Sequence, residues 1–146
     1  MDFGAGTGLI AGRLAPHVAH IVAVDISAAM LAQLASKPEL AGKVETIERD
    51  IIAEPLGRRV DLIVSAMAMH HVEDTDALLK ALYTHLAPGG RVALADLDTE
   101  AGGFHPPGMA GVFHHGFDRE VFTSACEVEK EARRYSVFLA TASRPG

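Results

Sequence analysis

The feature that most restricts the fold of this chain is a glycine-rich turn, DFGAGTG, at residues 2–8. Glycines at three alternate positions, Gly4, Gly6 and Gly8, allow a backbone to turn sharply and to approach a ligand with no Cβ in the way. Apolar residues at helical spacing follow from Leu9, so the turn is predicted to join a strand to a helix. The pattern is also compatible with a tight connection that binds no ligand.

Downstream of the turn, short apolar runs alternate with segments of helical periodicity, the pattern of a parallel sheet with crossover helices. Strands are predicted over residues 21–25, 44–48, 60–65 and 91–96, and helices over residues 9–15, 28–35 and 76–86. Ser27 is the predicted N-cap of the second helix, and Asp74 or Asp76 that of the helix ending at residue 86. The Pro-Gly-Gly segment at 88–90 predicts a turn after that helix. The fold class is therefore α/β.

The last third of the chain has a different composition. Seven Gly and Pro residues between positions 98 and 116 predict a long loop. Two β-prone runs, residues 122–129 and 134–142, flank a charged bend at 130–133 and predict an antiparallel hairpin at a sheet edge. With 146 residues we expect a single domain, 1–146, made of a cofactor-binding core (1–97), a loop (98–121) and a C-terminal hairpin (122–146).

Composition excludes several classes of protein. Apolar residues make up 49% of the chain and charged residues 22%, which is typical of a globular protein and not of a disordered one. The net charge of -6 argues against a nucleic-acid partner. No apolar run reaches the ~18 residues of a membrane span, the opening residues do not resemble a signal peptide, and Cys126 is a single cysteine. We expect a cytoplasmic protein without nucleic-acid or membrane partners.

The glycine spacing restricts the class of ligand that the turn could bind. A dinucleotide fingerprint needs its third glycine at position 9, which is Leu9, so a nicotinamide-dependent oxidoreductase is disfavoured. The next predicted strand ends at Asp25, at the carboxyl edge of the sheet, where a carboxylate can accept from both hydroxyls of a ribose. Asp25 is also compatible with capping the helix that begins near Ser27.

Five segments, taken in order, resemble the class I S-adenosylmethionine-dependent methyltransferases of the UbiE-like small-molecule group (type 11). They are DFGAGTG at 2–8, VAVDIS at 22–27 with Met30, ERDI at 48–51, DLIVS at 61–65 leading to His70 and His71, and LAPGG at 86–90. The resemblance is close from residue 2 to about 96 and loose in the tail. It implies a Rossmann-like, doubly wound and mostly parallel sheet, with methyl transfer from S-adenosylmethionine to a small-molecule acceptor.

The resemblance also implies which residues surround the cofactor. Asp2 would hold the turn or the ammonium group, Asp25 would bind the ribose hydroxyls, and Asp50 would accept from the adenine amino group. The full set is Asp2, Gly4, Ala5, Gly6, Gly8, Ser65 and Ala66 around the methionine part, and Asp25, Ile26, Met30, Asp50 and Ile51 around the adenosine. Asp50 is also compatible with a solvated turn, and Met30 with a place in the core.

Histidines follow the predicted strand 60–65, at the edge where a general base would lie. Adjacent residues on a helix do not share a face, so at most one of His70 and His71 is expected to point into the site. His70 is the candidate base for a hydroxyl acceptor. His105, His114 and His115 have no acidic or cysteine partner at a recognisable spacing, so we expect no metal site.

The chain departs from the family pattern at two places. Only Met1 precedes Asp2, so the first strand and the N-terminal helices are largely missing, and no helix is predicted between residues 117–120 and the hairpin. We therefore expect a truncated member, either a fragment or a naturally reduced relative, with exposed apolar surface that would admit a homo-oligomer. A cofactor-binding or partner-supporting module without turnover is the alternative function. The acceptor, the methylated atom and the activity of the chain alone stay open.

Overall fold

In the computed structural model, which describes residues 1–118, 124–130 and 133–146, seven strands form one sheet. The strands are β1 (Asp2–Phe3), β2 (Ile21–Asp25), β3 (Val44–Glu48), β4 (Val60–Ala66), β5 (Leu86–Leu97), β6 (Ser124–Lys130) and β7 (Arg133–Ser143). Their order across the sheet is β3-β2-β1-β4-β5-β7-β6. Strands β1 to β5 pair in parallel, whereas β7 runs antiparallel to both β5 and β6. The predicted Rossmann-like α/β class, with a mostly parallel sheet, is confirmed.

Helices cover both faces of this sheet. They are α1 (Leu9–Leu14), α2 (Ala28–Ala35) and α3 (Thr75–His85), with short 3₁₀ turns at Pro38–Leu40 and Met69–His71. Side chains of β2 alternate between two cores, because successive residues of a strand point to opposite faces. Ala23 packs in one core with Leu34 of α2, and Val24 packs in the other with Leu78 of α3. Among the described helices, none is long and apolar enough to cross a membrane.

The predicted helix caps are decided by geometry. The Ser27 hydroxyl accepts from the Met30 amide at 3.4 Å at the start of α2. At the start of α3, the Asp74 carboxylate accepts from the Ala77 amide at 2.8 Å, so Asp74 and not Asp76 is the N-cap. These caps follow from local sequence, since a short polar side chain reaches the free amides of the first helical turn.

The turn predicted at residues 88–90 is present only as an irregularity inside a strand. Strand β5 begins at Leu86, directly after α3, and runs through this segment, with a register shift in its pairing to β4 between Val60 and Leu62. The Gly89 amide donates to the Arg144 carbonyl at 3.0 Å, and the Arg144 amide donates to the Gly90 carbonyl at 2.9 Å. Gly89 has a φ of +75°, so the backbone turns locally at the predicted place. Pairing with the chain beyond β7 nevertheless keeps the segment within the strand, a contact that local sequence does not reveal.

The antiparallel pairing of β6 and β7 confirms the predicted C-terminal hairpin. Residues 119–123 and 131–132 lie outside the described residues. The first range includes the start of the predicted run 122–129 and the place where a further helix was expected to be missing. The second range is the centre of the predicted bend. The predicted loop that starts at residue 98 folds back on β5. The Phe117 amide donates to the Leu97 carbonyl at 2.9 Å, and the Phe113 amide donates to the His70 carbonyl at 3.0 Å.

Candidate functional site

A cavity of about 550 Å³ lies at the carboxyl ends of β1, β2, β3 and β4. The strand order reverses between β1 and β4, and open α/β sheets bind their ligands at such a switch point. Most of the predicted cofactor residues line this cavity: Asp2, Gly4, Ala5, Gly6, Asp25, Ile26, Met30, Asp50 and Ala66. The other predicted site residues do not line it: Gly8, Ile51, Ser65 and His70.

Asp2 lines the cavity and carries a buried carboxylate. Its residue is 1% exposed, and its Oδ2 atom has no hydrogen-bond partner among the described residues. Burial raises the pKa of Asp2 from its ordinary value of 3.8 to about 6, with the Ala11 backbone amide opposing the change. A buried oxygen without a partner is unfavourable for folding, and a cationic group in the cavity would satisfy it.

The glycine turn needs glycine for steric reasons. At Gly4, where φ is +64°, an added Cβ would lie 2.3 Å from the Cβ of Ala68 in the segment after β4. The Gly6 amide donates to Asp25 Oδ2 at 2.8 Å. Gly8 is buried at the start of α1, where a Cβ would lie 2.6 Å from Leu34 Cγ. Gly8 therefore packs against α2, and only the first two glycines face the cavity.

Asp25 holds two backbone segments together at the end of β2. Its Oδ2 accepts from the Gly6 amide, and its Oδ1 accepts from the Ser27 amide at 2.9 Å. The helix cap itself is Ser27. The Asp25 carboxylate is thus oriented by the glycine turn on one side and by the start of α2 on the other, and it still lines the cavity. Each carboxylate oxygen has a further lone pair with which to accept from a ligand.

The turn after β3 differs from the prediction at one residue. Asp50 Oδ1 accepts from the Ile52 amide at 2.9 Å and from the Ala53 amide at 3.4 Å, an arrangement that stabilises a turn. Ile51 is 0% exposed and belongs to the core with Val24. Ile52 lines the cavity instead, because the turn directs neighbouring side chains to opposite sides.

The end of β4 also turns in a way that the sequence did not indicate. Ser65 is buried, and its Oγ has no hydrogen-bond partner among the residues that the structure describes. Met67 has a φ of +59°, a left-handed conformation that costs an L-residue about 1–2 kcal/mol, while its amide donates to the Ala95 carbonyl at 2.8 Å. Ala66, Met67 and Ala68 follow each other along the cavity wall.

The two adjacent histidines have different surroundings. His70 is 1% exposed, and its Nδ1 donates to Asp96 Oδ1 at 2.6 Å. Its Nε2 lies 2.9 Å from Nε2 of His105, a residue of the 98–116 loop. His71 lines the cavity, and its Nδ1 donates to the Gly111 carbonyl at 2.6 Å. The candidate base from the sequence, His70, therefore lies behind the cavity wall, and His71 is on it.

Comparison with known proteins identifies the family. The methyltransferase domain family matches residues 1–92, more than half of the chain. The chain belongs to this family. Its predicted resemblance to the class I S-adenosylmethionine-dependent methyltransferases is thereby confirmed.

Two curated methyltransferases and one solved structure illustrate the relationship. An uncharacterised methyltransferase of Schizosaccharomyces pombe is 34% identical over 132 residues, covering 80% of this chain and 46% of the relative. A ubiquinone biosynthesis O-methyltransferase of Pseudomonas putida is 29% identical over 102 residues, covering 67% of this chain and 44% of the relative. The chain thus spans about half the length of these relatives. The N-methyltransferase NodS of Bradyrhizobium japonicum, in complex with S-adenosyl-L-homocysteine, has the same fold, with a TM-score of 0.74 at 20% identity over 99% of this chain and 76% of that one.

The methyltransferase cavity contains residues that sequence reasoning did not select. They are Phe3, Thr7, Leu9, Ile10, Ser27, Arg49, Ile52, Met67, Ala68, His71 and Val72. Most of them are neighbours of predicted residues, so proximity to a motif was the available signal. Asp96, which positions His70, ends the strand predicted over residues 91–96, and an acid at that edge of the sheet was a signal of the same kind as Asp25.

Proposed function

We propose that this protein binds S-adenosylmethionine in the cavity and transfers its methyl group to a small-molecule acceptor. The observation that carries the proposal is the grouping of three carboxylates around one cavity, contributed by β1, β2 and the turn after β3. Asp2 and Asp25 lie on the adjacent strands β1 and β2, and Asp50 follows β3, which pairs with β2. A ligand that joins an ammonium group, a ribose and an amino-bearing base matches three acceptors in a row.

Asp2 is the best match to one part of the cofactor. Its buried and unpartnered Oδ2 would accept a charge-assisted hydrogen bond from the ammonium group of the methionine part. The tight glycine turn beside it leaves no Cβ at Gly4 or Gly6 to block the approach. Asp25, held by two backbone amides, would accept from the ribose hydroxyls.

The adenine would cover apolar side chains at the mouth of the cavity. Ile26 is 75% exposed and Met30 is 46% exposed, although both line the cavity. A planar base between them would remove apolar surface from water, a favourable change of about 25 cal/mol per Å². Ile52, rather than the predicted Ile51, would provide the opposing contact, and Asp50 would accept from the amino group.

The chain's own part in catalysis is mainly alignment. The cofactor supplies a methyl group already activated on a positively charged sulfur, so the protein has to hold the acceptor in line with it and exclude water. The wall formed by Ala66, Met67 and His71 would lie beside the methionine end of the cofactor. We assign no catalytic base, because His70 is buried with Nε2 directed at His105.

Three narrower statements belong to the same proposal. The net charge of -6 opposes binding of a polyanion, so the acceptor would be a small molecule and not a nucleic acid. A single cysteine suits a reducing compartment, so we propose the cytoplasm as the place of action. We further propose that residues 1–146 act as one domain.

Calorimetry tests the binding step. S-adenosylmethionine and S-adenosylhomocysteine are expected to bind more tightly than NAD, because the three carboxylates fit an adenosine joined to an amino acid and position 9 lacks the glycine of a dinucleotide site. Preferential binding of NAD would contradict the assignment.

Methyl transfer is tested separately with labelled cofactor. Phenols and amines are the two acceptor classes to compare, since the relatives above carry the names O-methyltransferase and N-methyltransferase. Cofactor binding with no turnover on any acceptor would support the alternative, a module that holds the cofactor without catalysis.

A further inference from the structure

Three imidazole rings meet beside the cavity: those of His70, His71 and His105. His70 and His71 belong to the 3₁₀ turn after β4, and His105 comes from the 98–116 loop, 35 residues further along the chain. One ligand nitrogen from each ring lies within 4.8 Å of the others. No metal site is predicted from the sequence, because the spacing along the chain shows no such group.

Hydrogen bonds determine which nitrogen of two rings is available. His70 Nδ1 donates to Asp96 Oδ1, and His71 Nδ1 donates to the Gly111 carbonyl, both at 2.6 Å. In neutral imidazoles this leaves the lone pair on Nε2 of each ring. His70 Nε2 then lies 2.9 Å from His105 Nε2. Two nitrogens so close need either a shared proton or a cation between them.

We propose that His70, His71 and His105 bind a Zn²⁺ ion. Neutral imidazole nitrogens are common zinc ligands, and three histidines with one open position are a known catalytic arrangement. With Zn–N bonds of about 2.0–2.1 Å, tetrahedral geometry sets the ligand nitrogens about 3.3 Å apart. The separation of His70 and His105 is close to that value. The other separations, up to 4.8 Å, would close by small movements of exposed His71 and half-buried His105 that keep the Nδ1 hydrogen bond of His71.

The surroundings of the rings have the outer shell that zinc sites use. Metal-binding histidines usually donate their second ring nitrogen to a carboxylate or a backbone carbonyl, which fixes the ring and increases its basicity. Asp96 performs this role for His70, and the Gly111 carbonyl performs it for His71. Asp96 is itself held rigidly, since its Oδ2 accepts from the Met69 amide at 2.7 Å and its Oδ1 from the Leu97 amide at 2.8 Å.

The position of the cluster suggests what the ion does. His71 lines the cavity, so the open coordination position would face the space beside the methionine end. There the ion would bind the oxygen of a hydroxyl acceptor and lower its pKa, so that the proton passes to solvent water without a side chain as base. The oxyanion would then accept the methyl group as the carbon–sulfur bond breaks and S-adenosylhomocysteine leaves. This role rests on the proposed methyl transfer, whereas metal binding itself does not.

The test is a Co²⁺ titration of metal-free protein that carries no polyhistidine tag, followed by absorption spectroscopy, with Zn²⁺ competition. Wild type is expected to bind one ion per chain with the strong visible band of tetrahedral cobalt. His71→Ala and His105→Ala should each weaken binding more than about tenfold, since losing an outer-shell partner alone costs about 10–100-fold. His115→Ala is the matched control, because His115 lies in the same loop but outside the cluster; it should bind as wild type does.

A fourth variant separates ligation from a structural role. His105→Cys keeps a zinc ligand and is expected to add a sulfur-to-cobalt charge-transfer band, which a merely structural histidine would not produce. Absence of a stoichiometric ion in wild type, or equal binding by the two alanine variants and the control, overturns the proposal. S-adenosylmethionine binding measured on the same samples distinguishes this failure from failure of the proposed function.

Discussion

Replacing Asp2 by asparagine should move stability and cofactor binding in opposite directions. The pKa of Asp2 is raised from 3.8 to about 6 in the folded protein. Between these values the folded state binds more protons than the unfolded state, so the contribution of this group to stability falls as pH rises. A pKa that moves from 3.8 to about 6 on folding corresponds to about 3 kcal/mol. Asparagine resembles the protonated carboxyl and does not ionise, so the variant does not lose this stability as pH rises.

Urea denaturation of the cofactor-free protein, from about pH 4 to well above pH 6, measures the effect. The free energy of unfolding of Asp2→Asn minus that of wild type should increase by on the order of 3 kcal/mol across this range and then level off. A constant effect of the amide on packing cancels in this comparison. Asp61→Asn is the control, since Asp61 is exposed on β4 and its replacement removes the same charge; the increase measured for Asp2→Asn should exceed any increase measured for this control.

Cofactor binding should show the opposite sign. If the Asp2 carboxylate accepts from the ammonium group, Asp2→Asn loses a charge-assisted hydrogen bond worth about 1.5–3 kcal/mol, or about 10–150-fold in Kd. Wild type should bind S-adenosylmethionine more tightly as pH rises through about 6, whereas the variant should not. A stability difference that stays flat with pH, together with unchanged affinity, would refute the reasoning for Asp2.

Two further perturbations test the turn and its partner. Asp25→Ala should weaken cofactor binding by more than about 1.5 kcal/mol, because charge-assisted hydrogen bonds are lost. It should also lower the free energy of unfolding, because two backbone amides lose their acceptor. Calorimetry measures the first effect and denaturation the second, and an unchanged Kd would leave Asp25 a structural role only. Gly4→Ala should destabilise the protein by at least about 1–2 kcal/mol, since the new Cβ would lie 2.3 Å from the Cβ of Ala68. Gly12→Ala is the control, because a Cβ there meets open space in α1, and it should stabilise the protein by about 0.5–1 kcal/mol. Equal melting temperatures for the two variants would contradict this reasoning.

Much of the fold was predictable because its signals are local. Strand β2 is buried on both faces, so its residues form a continuous apolar run ending at Asp25, and both bounds were predicted. Ser27 and Asp74 cap helices through amides three residues away. The turn predicted at 88–90 became an irregularity within β5, because Gly89 and Gly90 pair with Arg144, a partner more than fifty residues distant that local composition cannot reveal.

The candidate site also has features that local sequence predicts and features that depend on tertiary packing. The sequence by itself determined that a glycine turn and several acids lie at the carboxyl ends of parallel strands, because strand ends and glycine spacing depend only on residues that are close together in the sequence. Only the tertiary structure decided which side chains face the cavity. It directs Ile52 and His71 to the wall and Ile51 and His70 away from it, and it folds the 98–116 loop so that His105 meets His70. Side-chain direction in a turn and the path of a long loop depend on packing against distant residues, which the order of residues along the chain does not specify.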